Sequence, residues 1–152
     1  MCFCKTKGSK ILNAKKDIVV YKIGEFADKT AFIPYFMNNF IYEPGGAYHT
    51  KPNFWENNIS RGFHGYINII VTLSSPILSI AVQKNNKCKS LITKYSILGG
   101  GLYLGKFIIP EGATYCVNTF NEIVSSQIIY TGQFANVKEI SNINLKDLWK
   151  EK

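Results

Sequence analysis

Arginine is almost missing from this chain. Arg61 is the single one in 152 residues, against 17 lysines. Bidentate reading of base edges or phosphates relies on a planar guanidinium, whereas lysine offers a point charge. Specific nucleic-acid readout is therefore not expected, despite a net charge of +8. Histidine is scarce too, with only His49 and His64, and acidic residues number ten. No carboxylate pair stands at metal-ligand spacing with either histidine, so neither a metal nor a cofactor is expected. The four cysteines are Cys2, Cys4, Cys88 and Cys116. Cys-x-Cys is not a zinc-finger spacing and the other two stand alone, which reads as free thiols in a reducing cytosol.

Other absences narrow the class. The start, Met1-Cys2-Phe3-Cys4-Lys5, has no basic region followed by about 7–15 apolar residues, so no secretory leader is expected. Cys at position 2 excludes myristoylation, and the last residues, Trp149-Lys150-Glu151-Lys152, hold no prenylation cysteine. Residues 62–83 carry no Lys, Arg, Asp or Glu, but His64, Asn68, Ser74, Ser75 and Pro76 interrupt them. Two buried strands around a Ser-Ser-Pro turn fit better than a membrane helix of about 20 apolar residues. The expected setting is the cytoplasm, with no membrane association. A phosphate loop is excluded as well. In Gly99-Gly100-Gly101-Leu102-Tyr103-Leu104-Gly105-Lys106, Phe107 replaces the required Ser or Thr, and the run enters a strand rather than a helix.

What is present is β-branched and aromatic. Hydrophobic residues make up 46% against 18% charged, which argues for a packed core over disorder. Ile18–Ile23 is a strong strand pattern. Residues 31–36 form a second, held to a sheet edge by Pro34. Glu43-Pro44-Gly45-Gly46 is a turn, and 51–62 read as loop with room for one helical turn. Further strand patterns cover 63–73, 77–82, 88–95, 102–109, 115–117 and 123–130, with a turn at Pro110-Glu111-Gly112. Leu145, Leu148 and Trp149, behind Asn144 as cap, fit a short helix at about 145–151. The expected fold is α+β and β-rich. It is a single compact domain over 17–152, with about seven to nine short, mainly antiparallel strands and a short C-terminal helix. Residues 1–16 read as a basic lead-in.

The positive charge is local. Six lysines against Asp17 give residues 1–22 a charge of +5, and four lysines give 84–94 a charge of +4. Residues 23–83 sum to −1 and 95–152 to zero. Ile, Lys and Asn together make up 51 residues, as expected from a very AT-rich gene. Part of the lysine excess therefore reflects composition rather than an acidic partner.

Arg61, His64 and Tyr66 are the densest functional-looking polar set. On a strand His64 and Tyr66 share a face, with Arg61 just beyond Gly62. Guanidinium, imidazole and phenol can clamp a phosphate or a ribose-bearing ligand. Tyr21 and Lys22 on the first strand complete the candidate ligand-binding set. An enzymatic alternative uses His64, Tyr66 and Glu122 as in ADP-ribosyl-transferring folds, with the carboxylate steadying an oxocarbenium-like transition state. Glu122 follows Asn121 in a probable turn, where a solvated side chain is expected.

Four pieces together resemble a family: Asp17-Ile18-Val19-Val20-Tyr21-Lys22, Arg61-Gly62-Phe63-His64-Gly65-Tyr66, Lys106–Tyr115 with its Ile109-Pro110-Glu111-Gly112 turn, and Ile123–Ile129. The set resembles small proteins of gut Bacteroidota and their phages, over roughly residues 1–130. The resemblance implies a phage or mobile-element origin and no particular activity. The function expected is non-enzymatic binding, either capture of an anionic, nucleotide-like ligand or contact with a host defence protein. The alternatives are an ADP-ribosyl-transferring or nucleotide-cleaving enzyme, and a virion or assembly protein. A homo-oligomer stays among the partners considered.

Overall fold

In the computed structural model, residues 3–26, 31–34, 41–67 and 103–136 are described. They form eleven strands and no helix: β1 (Phe3–Cys4), β2 (Ile11–Asn13), β3 (Ile18–Phe26), β4 (Phe32–Pro34), β5 (Ala47–His49), β6 (Asn58–Ile59), β7 (Phe63–Tyr66), β8 (Tyr103–Ile109), β9 (Thr114–Val117), β10 (Glu122–Ser125) and β11 (Gln127–Asn136). None of the described residues forms a helix long and apolar enough to cross a membrane. The strand patterns at 77–82 and 88–95, the lysine cluster at 84–94 and the expected C-terminal helix lie outside the described residues.

Nine strands join one antiparallel sheet in the order β2-β9-β10-β7-β3-β8-β11-β5, with β4 paired to β3 off that path. The chain runs from β10 to β11 across Ser126 alone, yet β7, β3 and β8 lie between them in the sheet. In a flat sheet that is four strand spacings, or ~19 Å. One residue cannot cover that distance, so the sheet curls and brings its ends together. A single strand pattern at 123–130 is thus two strands bent at Ser126, whose N–H donates to the Thr114 carbonyl and whose carbonyl accepts from Thr50.

The curl wraps one core. Alternation sends Val20, Phe63, Phe107, Ile123 and Tyr130 to the same cluster, joined by Phe32 and Tyr42. The next residue on β10, Val124, points the other way and packs with Phe3, Ile59 and Cys116 under the β1–β6 pair. Residues 3–16 are therefore docked rather than loose. Phe3 is buried in that second cluster, and β2 pairs β9 at Ile11–Cys116. The stretch read as a loop at 51–62 contains β6 and one hydrogen-bonded turn, where the Glu56 N–H donates to the Asn53 carbonyl. The strands not expected from the sequence, β1, β2, β5 and β6, are two- and three-residue segments, which form when docking satisfies their backbone polar groups.

Tyr130 carries a misfit. Its ring is fully buried, stacked on Phe107 at 4.8 Å and tilted against Phe32 at 5.6 Å. Its hydroxyl finds no hydrogen-bond partner among the described residues. Leaving a buried polar group unpaired costs about 1–3 kcal/mol. Tyr130→Phe should therefore be neutral or raise stability by up to about 1 kcal/mol, read as a midpoint of thermal unfolding a few degrees higher. A marked loss of stability would mean that the hydroxyl is satisfied.

Candidate functional site

The site is built around a lysine at an inward-facing strand position. On β3, Val20 and Lys22 alternate toward the core while Tyr21 faces away. Lys22 is only 8% exposed. Its cross-strand neighbour on β8 is Gly105, and on the other side its Cγ lies 3.9 Å from where a Cβ on Gly65 would be. Gly65 lets the long stem lie close against β7, while the space beside Gly105 is filled by the Phe107 and Phe32 rings. The Nζ donates to the His64 carbonyl and sits 5.6 Å from the Tyr42 ring centroid and 5.7 Å from that of Phe107.

Lys22 opens on a cavity of about 540 Å³. Tyr42, Tyr48 and Phe63 supply aromatic wall; His49, Arg61 and His64 supply nitrogen bases and charge. Tyr42 and Tyr48 meet edge-to-face at 5.2 Å, across the turn whose Gly46 N–H donates to the Glu43 carbonyl. Arg61 is exposed at the rim, its guanidinium 5.8 Å from the centroid of Trp55, which is 73% exposed. Of the described residues that line the cavity, none is acidic.

Two buried asparagines organise the surrounding loops. The Asn53 Oδ1 accepts from the Arg61 N–H at 2.8 Å, and its Nδ2 donates to Glu56 and Ser60. That network fixes where Arg61 leaves the loop. Asn118 does the same at the far end of β10. Its Nδ2 donates to the Cys4 carbonyl and to Glu122 Oε1, and its Oδ1 accepts from the N–H groups of Phe120 and Glu122.

The electrostatics follow from burial without counter-charge. Desolvation pushes the Lys22 amine down from 10.5 to about 7. Burial, and secondarily the nearby Lys22 charge, push His64 down to about 4, partly offset by the Ser60 carbonyl 3.4 Å from Nε2. At neutral pH the cavity therefore holds a neutral imidazole, an amine near its midpoint, and a permanent cation at the rim. It is set up to accept negative charge.

Of the expected residues, Lys22, Arg61 and His64 come together on this cavity. Tyr21 and Tyr66 do not line it; they are Cα partners of each other on β3 and β7. Glu122 pairs with Tyr66 on β10 and also lies outside the lining. Glu122 is half-buried and held by Asn118 rather than solvated, because the positive φ of 59° at Asn121 turns the chain directly into β10. The sequence reading missed Tyr42, Tyr48 and His49. Their signal was a tyrosine on each side of the Pro44-Gly45 turn, a hairpin-like spacing that folds two rings together.

Cys4 is exposed and Cys116 buried. No group of three or more His, Cys, Asp or Glu among the described residues is arranged to hold a metal. Comparison with protein-family models, curated proteins and solved structures finds no match to this chain.

Proposed function

We propose that the protein works by binding and that the Lys22 cavity captures an anionic, ring-bearing small molecule of nucleotide-like character. One observation carries this reading: Lys22, Arg61 and His64 border a single cavity whose described lining has aromatic walls and no carboxylate. Its volume of about 540 Å³ is in the range of small-ligand pockets. Aromatic walls suit a base or other flat ring, and the Arg61 fork suits a phosphate. The resemblance to proteins of gut Bacteroidota and their phages supports an accessory role in a phage or mobile element, in the cytoplasm of the bacterial host. Sequestering a nucleotide-like signal would there serve counter-defence. A host defence protein is the other partner considered.

Calorimetric titration with a panel of nucleotides and cyclic dinucleotides tests this. At least one member should bind saturably, and Arg61→Ala should weaken it about tenfold, the value of one charge-assisted contact. Affinity should hold between pH 6 and 7, then fall toward tenfold per pH unit above 7. An anion binds the protonated Lys22, and above its pKa that proton must be taken up at increasing cost. No saturable binding by any member overturns the reading.

A further inference from the structure

Lys22 differs from the exposed lysines in more than burial. Among the described residues no carboxylate lines the cavity, and the polar and aromatic groups that share the space include Tyr42, Tyr48, His49, Arg61 and His64. Glu25, three residues along β3, alternates to the opposite face. On β8 the facing position is Gly105, while Lys106 pairs with Tyr21. The single hydrogen bond to the His64 carbonyl uses one N–H. A neutral amine making that bond keeps its lone pair free, on a residue that lines a space large enough for a small molecule. A lysine held only for structure would be expected to have a carboxylate partner or to reach solvent.

We propose that Lys22 is a carbonyl-capturing amine, which binds an aldehyde or ketone in the cavity as a reversible Schiff base. The proposal rests on the anion-binding reading for the ligand's second feature, a negative group held by Arg61. The Nζ lone pair adds to the carbonyl carbon, an N–H proton passes to the oxygen, and the carbinolamine loses water. Amine plus carbonyl gives imine plus one water, with no change of oxidation state. Desolvation of lysine among aromatic rings is a known way to make this nucleophile. At pH 7 Lys22 offers roughly a thousandfold more neutral amine than an exposed lysine near 10.4.

The test is reductive trapping at pH 7 with 4-formylbenzoate and, separately, with benzaldehyde, using cyanoborohydride to fix any imine. Peptide mapping then locates the adducts. The expected result is one adduct per chain, on Lys22, absent in Lys22→Arg and in the amine-free Lys22→Met. Lowering the pH to 5 should suppress it at least tenfold. Arg61→Ala should cut the 4-formylbenzoate yield severalfold and spare the benzaldehyde yield. Adducts spread over Lys7, Lys10, Lys15 and Lys16 with Lys22 unmodified would overturn the proposal, even if nucleotides bind. Lys22 labelled equally by both aldehydes, with Arg61→Ala without effect, would uphold the amine and overturn the anion handle.

Discussion

Lys22→Met should make the protein more stable and unable to bind anions in its cavity. The amine is buried with no opposite charge against it among the described residues, and its protonated form is what desolvation penalises. Methionine has a similar unbranched shape and packs favourably against the Tyr42 and Phe107 rings. The expected gain is about 1–3 kcal/mol at pH 6, or roughly 2–10 °C in the unfolding midpoint for a chain of this size. The pH dependence gives the sign. Lys22 titrates near 7 when folded and near 10.5 when unfolded. Between those values the unfolded chain holds a proton that the folded chain has lost, so wild-type stability rises with pH across that window. Below pH 7 the penalty is complete; above about 10.5 it is gone. The advantage of Lys22→Met should thus be largest below pH 7 and shrink toward pH 10. His64 adds the same sign between about 4 and 6.5, and loss of the Lys22 charge relieves part of its depression, which widens the variant's advantage further at the acid end. Thermal melts of both proteins from pH 5 to 10 read this directly. A less stable Lys22→Met at pH 6, or a gap unchanged by pH, would show that the amine is not the buried burden described. Stability gained by removing a functional group is a common trade at binding sites.

The strands were legible because their signals are local. Ile18–Phe26 and Tyr103–Ile109 are β-branched and aromatic runs, and they became two adjacent interior strands of the main sheet. Pro34 suggested an edge; β4 pairs β3 and is also bridged at Phe32 to Tyr42, so it is not a bare edge. The inward position of Lys22 was not legible. A lysine within Ile18–Ile23 looks like an outward residue of a half-buried strand, and only Gly65 beside its stem and the Phe107 ring near its Nζ define the inward place. Those come from strands distant in sequence. The same holds for Asn53 and Asn118. Each is a buried hub of one loop, but 14 asparagines in an AT-rich composition hide the two that matter. Clustering of Arg61 with His64 was readable from their spacing. Tyr66 was misplaced because sharing a strand face with His64 does not carry it to the cavity, which lies toward the Arg61 end of β7.

Phe107→Ala should cost about 3–5 kcal/mol, the largest loss expected from any single truncation in the core. The ring is fully buried and meets three others: Tyr42 at 5.0 Å edge-on, Phe32 at 5.4 Å edge-on and Tyr130 at 4.8 Å stacked. A loss of that size is a large share of the 5–15 kcal/mol typical of a domain. Phe107→Leu keeps most of the volume and should cost less than about 2 kcal/mol. Phe120→Ala is a control: the side chain is 64% exposed, and an effect within about 0.5 kcal/mol is expected. The pair of Phe107 variants also separates packing from the dryness of the site. The Phe107 ring shields the Lys22 Nζ on one side. Alanine opens that side to water, so the amine should climb back toward 10.5 and trapping at pH 7 should fall at least tenfold. Leucine keeps water out and should leave the pH profile of trapping near wild type. Denaturant melts give the stability order, and mapping of the Lys22 adduct across pH 6–9 gives the second. Equal trapping by both variants, with the alanine protein still folded, would show that solvent exclusion by the core does not set the reactivity of Lys22.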